Sequence, residues 1–334
     1  MNDPSPALSD HSVPAGGHLT VLLAEAVDAL VPRPGGRYID ATFGGGGHTR
    51  AFLAASAPDG AVLAIDADPE AVSRAERLAA EPGVGARLTF AAGNFRELAA
   101  IAHEQGYAQV DGVMFDLGLS SFQLDQEERG FAFRFAGPLD MRFDTRAGET
   151  AAELIGRLDE GALADLIWRY GEEPKSRVIA RAIVRERERE PLVTTDRLAD
   201  VVARAAGGRR GQETHPATRT FQALRIAVNE ELSALEAGLE AAVSVLRPGG
   251  RLAVISFHSL EDRITKQFIA RESATCVCPP AQPVCTCDHR PRLTKIGGKA
   301  LRPSAAEIAR NPRARSAVLR VAERRADLGT MEVR

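Results

Sequence analysis

The first third of the chain alternates short apolar runs with segments of helical spacing. Residues 37–40, 61–66, 87–90 and 110–116 are runs of strand length, and we predict a strand at each. Residues 69–80 and 95–105 carry apolar side chains at three- and four-residue steps, which predicts helices between the strands. This alternation is typical of an α/β fold with a doubly wound, mostly parallel sheet.

After residue 122 the pattern becomes helical. We predict helices at 149–157, 161–170, 176–187, 195–206 and 229–246, then strands at 251–256 and 316–321. The α/β domain is therefore expected to comprise residues 18–123 and 219–334. A helical domain of residues 124–218 is expected to be inserted between its fourth and fifth strands. Residues 1–17 are polar and rich in Pro, Ser and Gly, which predicts a disordered tail.

The 334-residue chain has a formal net charge of −3, yet two of its stretches are basic. Residues 175–225 hold twelve Lys and Arg against six Asp and Glu, and residues 285–334 hold twelve against five. Such stretches indicate either a polyanionic partner or solvated helix faces with ion pairs. No apolar run approaches the roughly 18 residues of a membrane span, and the N-terminus lacks the pattern of a signal peptide. We expect a cytoplasmic protein without a membrane partner.

A glycine-rich turn, Asp40-Ala-Thr-Phe-Gly-Gly-Gly-Gly-His-Thr49, follows the first predicted strand. Glycine has no Cβ, so a ligand can lie against the bare backbone of such a turn. Gly47 is followed by His-Thr-Arg, which excludes a P-loop, and no glycine spacing here fits the dinucleotide fingerprint. The pattern Asp-x-Thr-x-Gly-x-Gly-Gly instead resembles the first motif of S-adenosylmethionine-dependent methyltransferases. Asp66 ends the second strand about 20 residues on, where a carboxylate reaches ribose hydroxyls, and this disfavours a turn without a ligand.

Asp116 ends the fourth predicted strand, so we expect it at the same sheet edge as Asp40 and Asp66. A structural Asp that caps the next turn would explain any one of the three, but three at successive strand ends indicate a binding site. The motif that begins at Asp116 also resembles the short Asp- or Ser-led motif that amino-methyltransferases carry at this point. The exocyclic amine of cytosine or adenine is a poor nucleophile, because its lone pair is delocalised into the ring. Acceptors for its N–H hydrogens favour attack on a sulfonium methyl group without a covalent intermediate. Asp116 is therefore the candidate catalytic residue.

Ten stretches along the chain carry a more specific resemblance. They are residues 18–25, 38–48, 64–69, 116–121, 129–131, 137–142, 170–173, 215–222, 256–263 and 311–316. In this order they resemble the bacterial 16S ribosomal RNA (cytosine-N4)-methyltransferase family, RsmH, formerly MraW, over nearly the whole chain. The resemblance implies a class I methyltransferase fold with S-adenosylmethionine as cofactor, and it makes the insertion a substrate-recognition domain. It also implies 16S rRNA within the small ribosomal subunit as the partner, methylated on the N4 amine of a P-site decoding-centre cytidine.

The same resemblance assigns individual positions. Gly46, Gly47 and His48 match the family's cofactor loop, Asp66 its ribose carboxylate, and Phe95 a residue on the adenine side. Asp116 and Gln123 match cofactor-contacting positions after the fourth strand. Phe122 is a departure, because members of the family usually have Pro there, and it bears on the loop that carries Gln123.

Several residues keep two or more interpretations. His258 either orients the substrate or is a structural histidine, and Arg219 either holds a phosphate or caps a carboxylate. Cys276, Cys278, Cys285 and Cys287 form two C-x-C pairs, which are compatible with a zinc site, free thiols or a redox disulfide.

Three other functions compete with the methylation of ribosomal RNA. The same site could methylate an amine of DNA or of another RNA. A nicotinamide-dependent dehydrogenase is disfavoured by the missing fingerprint. The third alternative is an RNA-binding protein that has the methyltransferase fold and its motifs but does not transfer a methyl group.

Overall fold

The structure is a computed structural model that describes residues 19–208, 214–279, 281–282 and 284–326. The tail predicted at residues 1–17 lies outside this range. The described chain is built on a seven-stranded sheet in the order β3-β2-β1-β4-β5-β7-β6. Its strands are β1 (Arg37–Asp40), β2 (Ala61–Asp66), β3 (Leu88–Ala92), β4 (Val110–Asp116), β5 (Leu246–Ser256), β6 (Leu293–Leu301) and β7 (Val318–Arg324). Strands β1 to β5 pair in parallel, whereas β7 is antiparallel to β5 and β6.

The predicted doubly wound, mostly parallel sheet is confirmed, and β1, β2 and β4 have the predicted bounds. Strand β5 begins at Leu246 rather than at residue 251, because Leu246 pairs with Val110 and a register shift before Gly112 absorbs the intervening residues. Strand β6 is missing from the prediction. It is an exposed edge strand whose Gly-Gly pair and lysines interrupt any apolar run.

Helices surround the sheet and form the insertion. They are α1 (Leu23–Leu30), α2 (Gly47–Ala55), α3 (Ala71–Ala79), α4 (Leu98–Glu104), α5 (Ser121–Asp125), α6 (Ala151–Arg157), α7 (Glu160–Gly171), α8 (Ser176–Arg187), α9 (Thr195–Ala205), α10 (Thr218–Val228), α11 (Glu231–Val245), α12 (Ser259–Ser273) and α13 (Ala305–Arg310). The prediction for α8 matches in both bounds, and the other predicted helices differ at their ends by one to three residues. None of the helices in the described ranges is long and apolar enough to cross a bilayer.

The insertion has an apolar core of its own. Leu154 of α6, Ile167 of α7 and Ile183 of α8 belong to one buried cluster. Phe221 and Leu224 of α10 belong to the same cluster, although α10 lies almost wholly beyond the predicted boundary at residue 218. The helical core therefore extends through α10, because the apolar face of that helix packs on the insertion.

The sheet order places the carboxyl ends of β1 and β4 side by side. In the sheet, β2 and β3 lie on one side of β1, and β4 lies on the other side of β1. A doubly wound sheet binds its ligands in the crevice at this reversal. Asp40, Asp66 and Asp116 end β1, β2 and β4, so the three acids lie along this one edge.

Candidate active site

The glycine turn after β1 is held by the carboxylate at the end of β2. Gly44 and Gly46 adopt left-handed φ angles of 52° and 78°, which suit glycine. Asp66 Oδ2 accepts the backbone N–H of Gly44 at 2.7 Å, and its Oδ1 accepts that of Asp68 at 2.9 Å. Burial raises the pKa of Asp66, although both hydrogen bonds oppose the shift. Asp66 therefore fixes the turn and also faces the cavity beside it.

Contacts within the protein also require glycine at positions 45, 46 and 47. A Cβ on Gly45 would lie 2.9 Å from Cε2 of Phe122, and one on Gly46 would lie 2.8 Å from Cε2 of Phe43. A Cβ on Gly47 would overlap the hydroxyl oxygen of Thr20. Access of a ligand to the backbone is therefore only part of the reason for this run of glycines. Side chains of the protein also occupy the space that a Cβ would need.

A large cavity opens at these strand ends. Its volume is about 1250 Å³, which exceeds the roughly 300–1,000 Å³ of a usual small-molecule pocket. Six of the seven predicted cofactor-binding residues line it: Gly47, His48, Asp66, Phe95, Asp116 and Gln123. Gly46 is buried just behind the turn, where its N–H donates to the carbonyl of Phe43 at 2.7 Å. The cavity has room for a nucleoside cofactor and for a second planar group.

Asp116 presents a partly exposed carboxylate to this cavity. Its Oδ2 lies 3.5 Å from Nδ1 of the buried His48. Its Oδ1 is buried and has no hydrogen-bond partner among the described residues. Burial, then the nearby charges of Asp40 and Glu261, raise the pKa of Asp116 well above its usual value. A carboxylate in this position is a strong acceptor for an N–H group that enters the cavity.

Asp40 is connected to Asp116 through hydrogen bonds of Thr42. Asp40 Oδ2 accepts the hydroxyl of Thr49 at 2.6 Å, and its Oδ1 accepts the N–H of Thr42 at 3.2 Å. The hydroxyl of Thr42 in turn accepts the backbone N–H of Asp116 at 2.6 Å. Burial raises the pKa of Asp40 to about 6, with the hydrogen bonds from Thr49 and Thr42 opposing the shift. Asp40 therefore serves as a structural carboxylate that fixes the ends of β1 and β4.

Asp68 is a central residue of the site that sequence reasoning missed. Both oxygens of its buried carboxylate accept from Arg129 Nη1, each at 3.1 Å. Arg74 Nη2 lies 3.5 Å from Oδ2. Gln123 Nε2 donates to the same Oδ2 at 3.2 Å. The sequence does contain a clue. Residues 64–69 and 129–131 are two of the stretches that resemble the family, and each contributes one member of this ion pair.

Gln123 is oriented by these protein contacts. Besides its bond to Asp68, its Oε1 accepts the N–H of Ser120 at 3.1 Å, which completes a capping box at the start of α5. Phe122, the departure from the family pattern, lies under the guanidinium of Arg74 at 4.9 Å from its ring centroid. The loop after β4 is thus held to the loop after β2, and a direct contact of Gln123 with the cofactor stays a prediction.

Glu231, His258 and Glu261 form a buried polar cluster beside Asp116. Arg225 donates to both oxygens of Glu231, at 2.7 and 2.8 Å. His258 caps α12: its Nδ1 accepts the N–H of Glu261 at 3.5 Å, and its Nε2 lies 3.1 Å from Glu261 Oε1. Burial alone would raise the pKa of Glu261, but the hydrogen bond and charge of His258 and the charge of Arg225 lower it. The structure favours the structural interpretation of His258.

Phe143 and Phe257 are among the aromatic side chains that line the cavity. Phe143 comes from the insertion, and its backbone N–H donates to Asn229 Oδ1 at 2.7 Å. Asn229 Nδ2 also donates to the carbonyl of Met141 at 2.7 Å, so this side chain holds the loop that carries Phe143. Phe257 directly follows β5. Phe95 packs edge to face on Phe115, with 5.5 Å between their ring centroids.

Arg219 has protein partners. Its Nη1 donates to the carbonyl of Glu172 at 3.2 Å and lies 3.9 Å from the carboxylate of Glu173. The structure therefore favours the capping role over a phosphate contact. Glu172 also accepts from Arg263 at 2.8 Å, which ties α7 of the insertion to α12 of the α/β domain.

Comparison with known proteins shows consistent similarity along the chain. The model of the MraW methylase family matches residues 15–325. A protein of Thermomicrobium roseum, ribosomal RNA small subunit methyltransferase H, is 61% identical over 308 residues, which cover 92% of this chain and 93% of that protein. Proteins of the same name from Dehalococcoides mccartyi and Syntrophotalea carbinolica are 53% and 50% identical, over 92% of this chain and 86% and 98% of their own lengths. The similarity spans both the sheet and the helical insertion.

Proposed function

The chain belongs to the MraW methylase family, and we propose that it methylates the N4 amine of a P-site decoding-centre cytidine in 16S ribosomal RNA. S-adenosylmethionine is its methyl donor, and ribosomal RNA of the small subunit is its substrate class. One observation supports an amine as the methyl acceptor: the carboxylate of Asp116 lines the cavity, and its Oδ1 has no hydrogen-bond partner among the described residues. The choice of the cytidine N4 amine follows the resemblance to the cytosine-N4 methyltransferase family.

The residues around the cavity fit S-adenosylmethionine. The cofactor supplies an electrophilic methyl group on a positively charged sulfur. Asp66 keeps a second lone pair on each oxygen for the ribose hydroxyls, and Phe95 offers an apolar surface for the adenine. The carboxylates of Asp66 and Asp116 both favour a positively charged ligand. Gly47, His48 and Gln123 complete the proposed cofactor site, with Gly46 shaping the turn behind it.

Asp116 is the proposed catalytic residue. An N4 amine placed against this carboxylate would donate one N–H to it, which directs the nitrogen lone pair toward the methyl group. The amine gains positive charge as it attacks, and the carboxylate stabilises that charge. Because burial raises the pKa of Asp116, its carboxylate is also a stronger base than an exposed Asp and is suited to take up the released proton.

The insertion is the proposed RNA-recognition domain. A base must leave its stack to reach the floor of this cavity, and Phe143 and Phe257 offer aromatic faces on which it can stack. Part of the basic stretch is engaged within the protein, as in the pairs Arg181–Glu160 and Arg197–Glu190. Arg177 and Arg185 lie exposed on α8 and are available for phosphates.

Methyl transfer to different substrates separates this proposal from the alternatives. The purified protein would be incubated with methyl-labelled S-adenosylmethionine and small-subunit particles from cells that lack this activity, bare 16S rRNA, or duplex DNA. We expect label in 16S rRNA, as free RNA or in particles, and none in DNA. Label in DNA alone would overturn the substrate class. Binding of RNA without any transfer would favour a non-catalytic RNA-binding protein.

A further inference from the structure

The four cysteines of the chain lie together in the loop between α12 and β6. Their sulfur atoms are all within 4.8 Å of one another. The Sγ–Sγ distance is 4.0 Å for Cys278 and Cys285, 3.5 Å for Cys285 and Cys287, and 3.9 Å for Cys276 and Cys287. The loop buries few apolar side chains, yet its four cysteines lie close together.

These separations have the size expected for a tetrahedral metal site. A Zn–S bond of about 2.3 Å places the corners of a regular tetrahedron about 3.8 Å apart. The three distances scatter on both sides of that value. A disulfide requires sulfur atoms about 2.05 Å apart, so the cluster is arranged for a shared central ion rather than for two paired thiols.

Backbone N–H groups are directed at the sulfur atoms. Val277 donates to Cys287 at 3.5 Å, Cys278 to Cys276 at 3.4 Å, and Thr286 to Cys278 at 3.5 Å. Such donors stabilise thiolates over thiols. A thiolate is the form in which cysteine binds a metal ion, so these N–H donors favour ligation.

We propose that Cys276, Cys278, Cys285 and Cys287 bind one Zn²⁺ ion in a closed, structural site. Four thiolates fill a tetrahedral shell and leave no position for a substrate, so the ion has no direct part in methyl transfer. Helix α12 begins beside the cavity at Ser259, directly after its N-cap His258, and its 15 residues carry the chain about 22 Å to the cysteine loop. The site holds this loop against α12, where His289 Nε2 lies 2.9 Å from the carbonyl of Arg271.

The metal content of the full-length protein tests the site directly. The protein would be purified without chelators, and its metals counted by mass spectrometry against protein concentration. We expect close to one zinc per chain. Replacement by Co²⁺ is expected to give the intense visible absorption of tetrahedral cobalt together with a thiolate-to-cobalt charge-transfer band.

Variants then assign the ligands. Cys276→Ser and Cys285→Ser are each expected to reduce bound zinc at least tenfold. Val277→Ala is the matched control, because Val277 is exposed and contributes only its backbone N–H. S-adenosylmethionine affinity should change less than twofold in all three variants, which shows that the loss is local and not due to global unfolding.

Three results would overturn the zinc site. The first is a wild-type protein without stoichiometric metal whose four thiols all react with an alkylating agent under native conditions. The second is an intact mass lower by two or four hydrogen atoms, which shows disulfides instead. The third is iron in place of zinc in the isolated protein. Each result is independent of which RNA the protein methylates.

Discussion

Arg129 places Nη1 3.1 Å from both carboxylate oxygens of Asp68, a residue 61 positions earlier in the chain. Both side chains are buried, with 4% and 1% of their surfaces exposed. Nη2 of Arg129 donates to the carbonyls of Arg142 and Phe143, at 3.1 and 2.9 Å. A single guanidinium thus connects the loop after β2 to the segment of the insertion that lines the cavity.

Loss of that guanidinium should strongly destabilise the protein. Arg129→Ala leaves a buried carboxylate with fewer donors, and we expect the free energy of unfolding to fall by about 3 kcal/mol. Denaturation in urea measures the change. The matched control is Arg134→Ala, which breaks an exposed pair with Asp125 and should cost roughly 1 kcal/mol or less. Equal losses in the two variants would contradict the structural role of Arg129.

Gly47 is expected to tolerate no side chain while Thr20 is present. Gly47→Ala introduces a Cβ that overlaps the Thr20 hydroxyl, so we expect a loss of about 1–3 kcal/mol in stability. The distorted turn should also weaken S-adenosylmethionine binding, measured by calorimetry. Thr20→Ala in the same chain should restore part of both losses. Gly156→Ala is the control, because no atom lies within 4 Å of a Cβ there, and it should be neutral or slightly stabilising.

Asp40 should make stability depend on pH. Its pKa is about 6 in the folded protein, above the 3.8 of a free carboxyl, so the folded state favours the protonated form. That contribution is present below about pH 4 and is lost as pH rises through 6. Asp40→Asn cannot ionise, so its stability relative to the wild type should improve by up to about 3 kcal/mol between pH 4 and pH 7. Thermal melts of both proteins across this range measure it; a constant difference would contradict the shift.

Two exposed arginines of α8 are expected to contribute to RNA affinity. Arg177→Glu combined with Arg185→Glu should weaken binding and lower the slope of log K against log salt by about 1.4, the value for two phosphate contacts to a single strand. Filter binding at several salt concentrations measures both quantities. Arg33→Glu is the control: Arg33 pairs with Asp111 at the opposite end of β4 and should leave the slope unchanged. Equal effects would place the RNA elsewhere.

The sequence identifies the acids of the site because they occupy a regular position. Asp40, Asp66 and Asp116 each end a strand, and parallel strands bring their carboxyl ends to one edge. The order of secondary structure elements therefore determines their proximity. The sulfur cluster was recognisable for a similar reason, since its ligands lie close together in the chain.

Contacts between distant segments were not predictable in this way. Asp68 and Arg129 lie in two stretches that resemble the family, but neither stretch indicates that the two side chains meet. The glycines of the turn indicate close approach but do not say that Phe43, Phe122 and Thr20 make it. Strand β6 lacks an apolar run because an edge strand has little to bury. Tertiary packing decides each of these features.

The identity of the methylated atom decides whether the acceptor is the N4 amine of cytidine. Particles methylated by the wild-type protein would be digested, and the nucleosides of 16S rRNA analysed by mass spectrometry against synthetic standards. We predict N4-methylcytidine at a single position, and its loss in Asp116→Asn while S-adenosylmethionine binding stays within about tenfold. A methyl group on carbon 5 of cytosine or on another base, or full activity in Asp116→Asn, would contradict it.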